Sequence, residues 1–283
     1  MPEGAGAHAS TAPGRASSLP NFDRVVVIVM ENHEYGDVIG SSEAPYVNRL
    51  AHRFALATRF YGISHPSLPN YLALIGGSTF GIQDDCTDCS VHAGNLVDQL
   101  EGHHLSWKAY MQGMPSPCYR GAESGRYAKR HDPFMYFDDI RSNRRRCHRV
   151  VPFKQLRTDI DRGSLPRFVW LSPDLCHDGH DCALGTADLF LKHHVPELLE
   201  HLGSDGVLVL TWDEGTTADG CCRLASGGHI VTIVAGPGAR KSVHRSVGLD
   251  HYSTLRTIEL AWGLQPLRHS SCSCTRDLGS LLR

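Results

Sequence analysis

An α/β fold, a doubly wound and mostly parallel sheet sandwiched by helices, is what this sequence predicts, and two observations carry it. Four short, unbroken apolar runs have the length and β-branched content of strands buried on both faces: RVVVIVM (24–30), RFVWLSP (167–173), GVLVLTW (206–212) and HIVTIVAGP (229–237). Between them lie helical patterns, near 44–57, 69–76, 92–101, 186–202 and 252–263, and such alternation builds a parallel sheet. LSWKAYM (105–111) is a weaker fifth strand. Residues 113–153, with the run RSNRRRCHR, carry neither pattern and read as an irregular, solvated insertion.

The chain of 283 residues is long enough to bury a substantial core, and we expect one domain over 21–283. Residues 1–20, MPEGAGAHASTAPGRASSLP, are small and Pro/Gly-rich; they read as a disordered leader without the apolar stretch of a signal peptide. With 28 basic and 30 acidic residues the net charge is −2, so no global charge points to nucleic acid. The longest strongly apolar run, VVVIVM, is far too short for a transmembrane segment. Eighteen histidines mean that the surface gains positive charge in mild acid.

Ten cysteines in local pairs favour disulfides and an oxidising compartment, hence a secreted protein. Their close spacing predicts Cys86–Cys89, Cys118–Cys147 and Cys176–Cys182. Cys221, Cys222, Cys272 and Cys274 stay unassigned, because adjacent cysteines join only under strain. The competing reading, zinc at Cys86-x-x-Cys89, lacks the second half of a ligand set.

Ligands of open α/β sheets bind beyond the carboxyl ends of the strands. The first run ends in Glu31-Asn32, the second leads into DLCHDGHDC with His177, Asp178, His180 and Asp181, and the third ends in Asp213-Glu214. Glu31, Asn32, Asp213 and Glu214 offer only oxygen atoms, which suits one hard divalent cation such as Mg, Ca or Mn. In YGISHPSLPNYLALIGG, Pro69 fits the first turn of a helix and places Ser67 at or near its N-cap, where free N–H groups favour an anion. A cation beside Ser67 would turn a weak hydroxyl nucleophile into a competent one. No Walker A loop or kinase signature occurs, and no G-x-S-x-G elbow surrounds any serine.

The segments VVVIVMENHEYGDVIG, SHPSLPNYLALIGG, RYAKRHDPFMYFDD, LCHDGHDC, LVLTWDEG and DHYSTLRTIE, in this order, resemble the bacterial phosphoesterase family of the alkaline phosphatase superfamily. That family joins secreted acid phosphatases, among them mycobacterial-type enzymes that include phosphatidylinositol 3-phosphate phosphatases, with phospholipases C. The resemblance spans about residues 22–265 and implies a phosphorylated nucleophile at Ser67 and metal ligands at Glu31, Asn32, Asp213 and Glu214. It implies catalytic histidines at His65, His180, His251 and His131, and substrate contacts from Asn70 and Asp178, with His177 and His229 ranked lower. Phosphate esters, small molecules or phospholipid head groups, are the expected substrates. The expected activity is that of a metal-assisted phosphomonoesterase. The alternatives are a phospholipase C-type phosphodiesterase, a phosphoinositide 3-phosphate phosphatase, or a binding protein on a decayed hydrolase scaffold.

Overall fold

The computed structural model of the protein describes residues 19–283, so the expected leader lies, except for Leu19 and Pro20, outside the described residues. Eleven strands run in chain order: β1 (Val25–Met30), β2 (Ala55–Tyr61), β3 (Trp107–Met111), β4 (Glu123–Ser124), β5 (Tyr127–Ala128), β6 (Val150–Pro152), β7 (Phe168–Ser172), β8 (Val207–Trp212), β9 (His229–Ala235), β10 (Val243–Arg245) and β11 (Leu249–Asp250). Nine of them form one sheet in the order β10-β2-β9-β8-β1-β7-β3-β6, with β11 continuing beside β2. Every pairing in it is parallel except the two made by β9, which runs against both β8 and β2. The four apolar runs become β1, β7, β8 and β9, and LSWKAYM becomes β3. β1, β7 and β8 are buried along their whole length, which explains their unbroken hydrophobicity.

Helices flank the sheet. The helix Pro45–Arg53 packs against Leu184–Glu200, and Ser67–Gly76 packs against His251–Ala261. One expected helix, 44–57, is too long: it stops at Arg53, and Ala55 already opens β2. The run ALATRFY holds only one β-branched residue, so its composition hid a strand that pairing with β9, β10 and β11 enforces. The expected irregular insertion also carries more structure than its sequence announces, with the β4–β5 hairpin, short helices at Asp138–Arg141 and Arg144–Cys147, and β6. Its arginine run is tied down, because Arg146 bonds Asp98, Glu101 and Asp139.

All ten cysteines are paired. The three expected disulfides form, and Cys221–Cys222 and Cys272–Cys274 join the four that sequence reasoning left open. Cys86 and Cys89 are therefore not thiolate ligands for zinc.

Candidate active site

The carboxyl edge of the parallel strands gathers the chemistry. β1 delivers Glu31, fully buried, whose N–H donates to the Asp178 carbonyl at 3.0 Å. The chain then turns at Asn32, in the left-handed region (φ 51°) that asparagine tolerates better than most residues. Its N–H donates to Asp213 Oδ1 at 3.2 Å, locking the tip of β1 to the tip of β8. Gly62, just after β2, has no room for a side chain: a Cβ would stand 2.6 Å from the Gly227 carbonyl and 2.9 Å from that of Asp213.

Ser67 is the first residue of its helix, with Pro66 at the N-cap. The expectation of a capping serine is corrected here, since its hydroxyl reaches carboxylates rather than backbone. Ser67 Oγ lies 3.1 Å from Glu31 Oε2 and 3.3 Å from Glu214 Oε1, and its single proton serves one of them at a time. The cap is supplied by Asp85, whose Oδ1 accepts from the Leu68 N–H at 2.9 Å. Asn70 holds the approach loop: its Oδ1 accepts from the N–H groups of Ile63 (2.7 Å) and Ser64 (3.1 Å), and its Nδ2 donates to the Ser64 carbonyl (2.8 Å). That amide is occupied by backbone, which argues for a positioning role in place of the substrate contact implied by resemblance.

Electrostatics sets this edge apart. Burial pushes the carboxyls of Glu31 and Asp213 well above their ordinary range, and neighbouring carboxylates push them further. Burial also raises Asp178 to about 7 and Glu214 to about 7. His131 is driven the other way, well below its usual value, again chiefly by burial. Its ring stacks on Tyr71 with centroids 5.2 Å apart, and the Tyr71 hydroxyl donates to Glu31 Oε1. His131 Nε2 sits 3.4 Å from Glu31 Oε1 and Nδ1 sits 3.3 Å from Asp178 Oδ2, without hydrogen-bond geometry at either contact. Asp213 Oδ2 is likewise buried without a partner.

Ligand atoms of Glu31, His131 and Asp178 all lie within 4.8 Å of one another, and this buried group could hold a metal ion. Unpartnered donor atoms on His131, Asp178 and Asp213 are what a cation would satisfy, so the residues present fit one. The set differs from the oxygen-only group read from sequence: an imidazole nitrogen joins it, and Asp178 enters as a ligand candidate.

The remaining expected residues divide into those at the edge and those away from it. His65 Nδ1 contacts Glu214 Oε2 at 2.5 Å and Nε2 contacts the Thr217 carbonyl at 2.8 Å, in a cleft of about 490 Å³ also lined by Asn32 and Thr216. His180 is exposed; Nδ1 lies 2.7 Å from Asp181 Oδ1, and its ring lies 6.2 Å from that of His131. His251 is fully buried, with Nε2 2.5 Å from the Asp213 carbonyl, and burial lowers it to about 4. It therefore stays neutral and braces the Asp213 backbone, without a bond to Ser67. His177 stacks on Phe190 and contacts Gln112, and His229 lies between Tyr35 and Tyr61 with Nε2 on the Thr58 carbonyl. Among the described residues neither of these two touches the Ser67 cluster.

Sequence reading missed three participants. Tyr71 sits four residues after Ser67, hence on the same helix face, and that spacing was the available signal. Asp85 carries no such signal. Glu34 accepts from the N–H groups of Thr216, Thr217 and His229 and so shapes the loop after Glu214; a Cβ on Gly215 would stand 2.2 Å from Glu34 Oε1, so a side chain there would push that carboxylate off the loop.

Known proteins share both sequence and fold with the chain. A sequence profile of the phosphoesterase family matches residues 41–265. The phosphatidylinositol-3-phosphatase of Mycobacterium tuberculosis is 30% identical over 253 residues, covering 88% of this chain and 80% of that protein. The phosphate-repressible acid phosphatase of Penicillium chrysogenum is 30% identical over 262 residues, covering 89% of this chain and 61% of that one. The chain thus spans about three fifths of the length of the fungal relatives it matches. In fold, it superposes on a Vibrio parahaemolyticus protein of the alkaline phosphatase superfamily with a TM-score of 0.62, at 11% identity, over 95% of this chain and 72% of the other. Murine ectonucleotide pyrophosphatase/phosphodiesterase 5 gives a TM-score of 0.62 at 12% identity, over 92% of this chain and 100% of that one. With its edge of carboxylates around Ser67, a matching profile over most of its length and this fold, the chain belongs to the phosphoesterase family.

Proposed function

We propose that the protein is a metal-assisted phosphomonoesterase of the acid phosphatase type, working through a phosphoserine at Ser67. The observation that carries the proposal is the Ser67 hydroxyl at a helix start, within 3.1 and 3.3 Å of two buried carboxylates, one of which belongs to the metal-capable group. The names of the relatives, acid phosphatases and a phosphatidylinositol-3-phosphatase, support the substrate class, and a phosphoinositide is one monoester to try first. Complete pairing of the cysteines supports export into an oxidising compartment.

In this reading Glu31, His131 and Asp178 hold a divalent cation, with Asp213 Oδ2 as a further free donor and Asn32 and Glu214 fronting the cleft. When bound, the cation supplies charge stabilisation at a phosphoryl oxygen and favours the ionised serine. Glu214, raised to about 7, takes the Ser67 proton as Oγ bonds to phosphorus. The bond from phosphorus to the leaving oxygen then breaks, and that oxygen collects a proton from His180 or, across the cleft, His65. Water attacks the phosphoserine from the open side, releasing phosphate and restoring the hydroxyl. Asn70 and Asp85 keep the helix start aimed, and His251 keeps Asp213 in place.

Acid quenching during turnover of p-nitrophenyl phosphate, followed by peptide mass spectrometry, should place phosphate on the Ser67 peptide. Ser67→Ala should lose activity by roughly a thousandfold or more while melting close to the wild type. A phosphopeptide from elsewhere, or a largely active alanine variant, overturns the nucleophile. Turnover of bis(p-nitrophenyl) phosphate in preference to the monoester would favour the phosphodiesterase alternative. His180→Asn should slow alkyl phosphates by about tenfold more than nitrophenyl phosphate, because poor leaving groups need the proton most. Equal losses move the acid role to His65.

A further inference from the structure

A cavity of about 500 Å³ opens at the opposite edge of the sheet, where β2 begins and β9 ends. β9 spans seven residues, so about 20 Å separates this edge from the one that carries Ser67. Its floor is apolar, with Leu50 and Phe54 on one side and Pro196 and Leu199 on the other. Its rim carries the cationic side chains of Arg49, Arg53, Lys241 and Arg283 and the side-chain carboxylate of Glu200. Among the described residues none of the four makes an ion pair.

Two features give the cavity groups suited to an anion. Arg49 lies over the Tyr46 ring at 5.4 Å and Arg53 over the Phe54 ring at 5.1 Å. At these distances the ring face attracts each cation, and with no carboxylate paired to it among the described residues its N–H groups can meet an anion. The second feature is Tyr46 itself, which lines the cavity and is only 7% exposed. Its phenol has no hydrogen-bond partner among the described residues, while its backbone N–H and that of Val47 are held by Asp188 at 2.9 and 2.8 Å. Burial pushes that phenol up to about 12, so it remains a donor. A volume of this size lies in the range of small-molecule sites.

We propose that this cavity is a second binding site, independent of the catalytic edge, for a small amphipathic anion. An apolar ring or short acyl chain would lie on Leu50, Phe54 and Leu199, and a phosphate, sulfate or carboxylate head would meet Arg49, Arg53 and the Tyr46 hydroxyl. A neutral ligand leaves the cations unmatched, and a bare anion leaves the apolar floor wet, so both halves are required.

Calorimetric titration with naphthalenesulfonate and with octanesulfonate, neither of which has an ester bond to cleave, tests this and separates ring from chain. One saturable site per chain is expected for at least one of them, unchanged in Ser67→Ala. Affinity should fall about tenfold in Arg53→Gln and severalfold in Tyr46→Phe, whose missing hydroxyl costs the fold no hydrogen bond. Neutral naphthol and inorganic sulfate should each bind at least about tenfold more weakly. The site is refuted if neither sulfonate saturates, if naphthol or sulfate alone binds as well, or if both folded variants bind like the wild type.

Discussion

Asp159 and the carboxylates around Ser67 are buried alike and solvated in opposite ways. Asp159, on the helix Gln155–Asp161, is only 5% exposed, yet Lys108 Nζ at 2.6 Å and the Tyr110 hydroxyl at 2.7 Å meet the same oxygen. Burial alone would raise it, but those bonds outweigh burial and lower it. Glu31, Asp178, Asp213 and Glu214 face one another with no lysine or arginine paired to any of them among the described residues, and all four are raised. Burial is not the distinguishing feature, since Glu259 is also raised to about 7 but accepts bonds from Leu267 and Ser270. Several carboxylates crowded together with partnerless atoms mark a site; a single satisfied one marks a scaffold.

The largest effect should come from the crowded group. Glu31→Gln is expected to cut phosphatase turnover by about a hundredfold or more and to abolish the rise in melting temperature that a divalent cation gives the wild type. If the variant keeps that rise, the cation lies elsewhere. At the scaffold carboxylate the outcome should be the reverse. Lys108→Met leaves Asp159 buried without its cation and should cost about 1–3 kcal/mol of stability while kcat stays unchanged. A fall in kcat without a fall in stability would erase the distinction between the two regions.

The two regions also respond to pH with opposite sign, a smaller effect visible in melting temperatures of the cation-free protein. Asp159 has a lowered folded pKa, so its contribution is present above about pH 4, the unfolded value, and is lost as pH falls through the lower folded one. Glu214 and Asp178, raised to about 7, contribute fully below about pH 4 and lose that contribution as pH rises towards 7. The buried histidines His131, His194 and His251, all lowered, act with the opposite sign below about pH 6.5, so between pH 6.5 and 8 the cation-free wild type should melt lower as pH rises. Saturating divalent cation should flatten or reverse that trend.

Much of the architecture is legible in the sequence because β1, β7, β8 and β9 are buried along nearly their whole length, and such strands must be apolar throughout. β2 was hidden, since its identity comes from three neighbours rather than from composition. At the candidate site, the proximity of Glu31, Ser67, Asp213 and Glu214 could be anticipated from strand tips and a proline-framed helix start. The pairing of Glu31 with His131 and Asp178 could not, because it joins β1, a 3-10 turn in the insertion and the loop after β7. Asp85 and Glu34 were out of reach for a similar reason: each acts on backbone N–H groups of a distant loop or helix, and that leaves no local pattern. The disulfide reading stopped at Cys221–Cys222 because spacing alone argues against joining neighbours.

Burial and mutual repulsion raise the crowded carboxylates, and in the proposed mechanism a cation beside Ser67 takes the place of their protons. Cation binding must then drive protons off them. Calorimetric titration of the chelator-treated protein with Mg or Mn at pH 6, in two buffers of different ionisation enthalpy, counts those protons. One site per chain with about one or more protons released is expected in the wild type, and neither binding nor release in Glu31→Gln. Binding without proton release, or identical titrations for the two proteins, would contradict that mechanism.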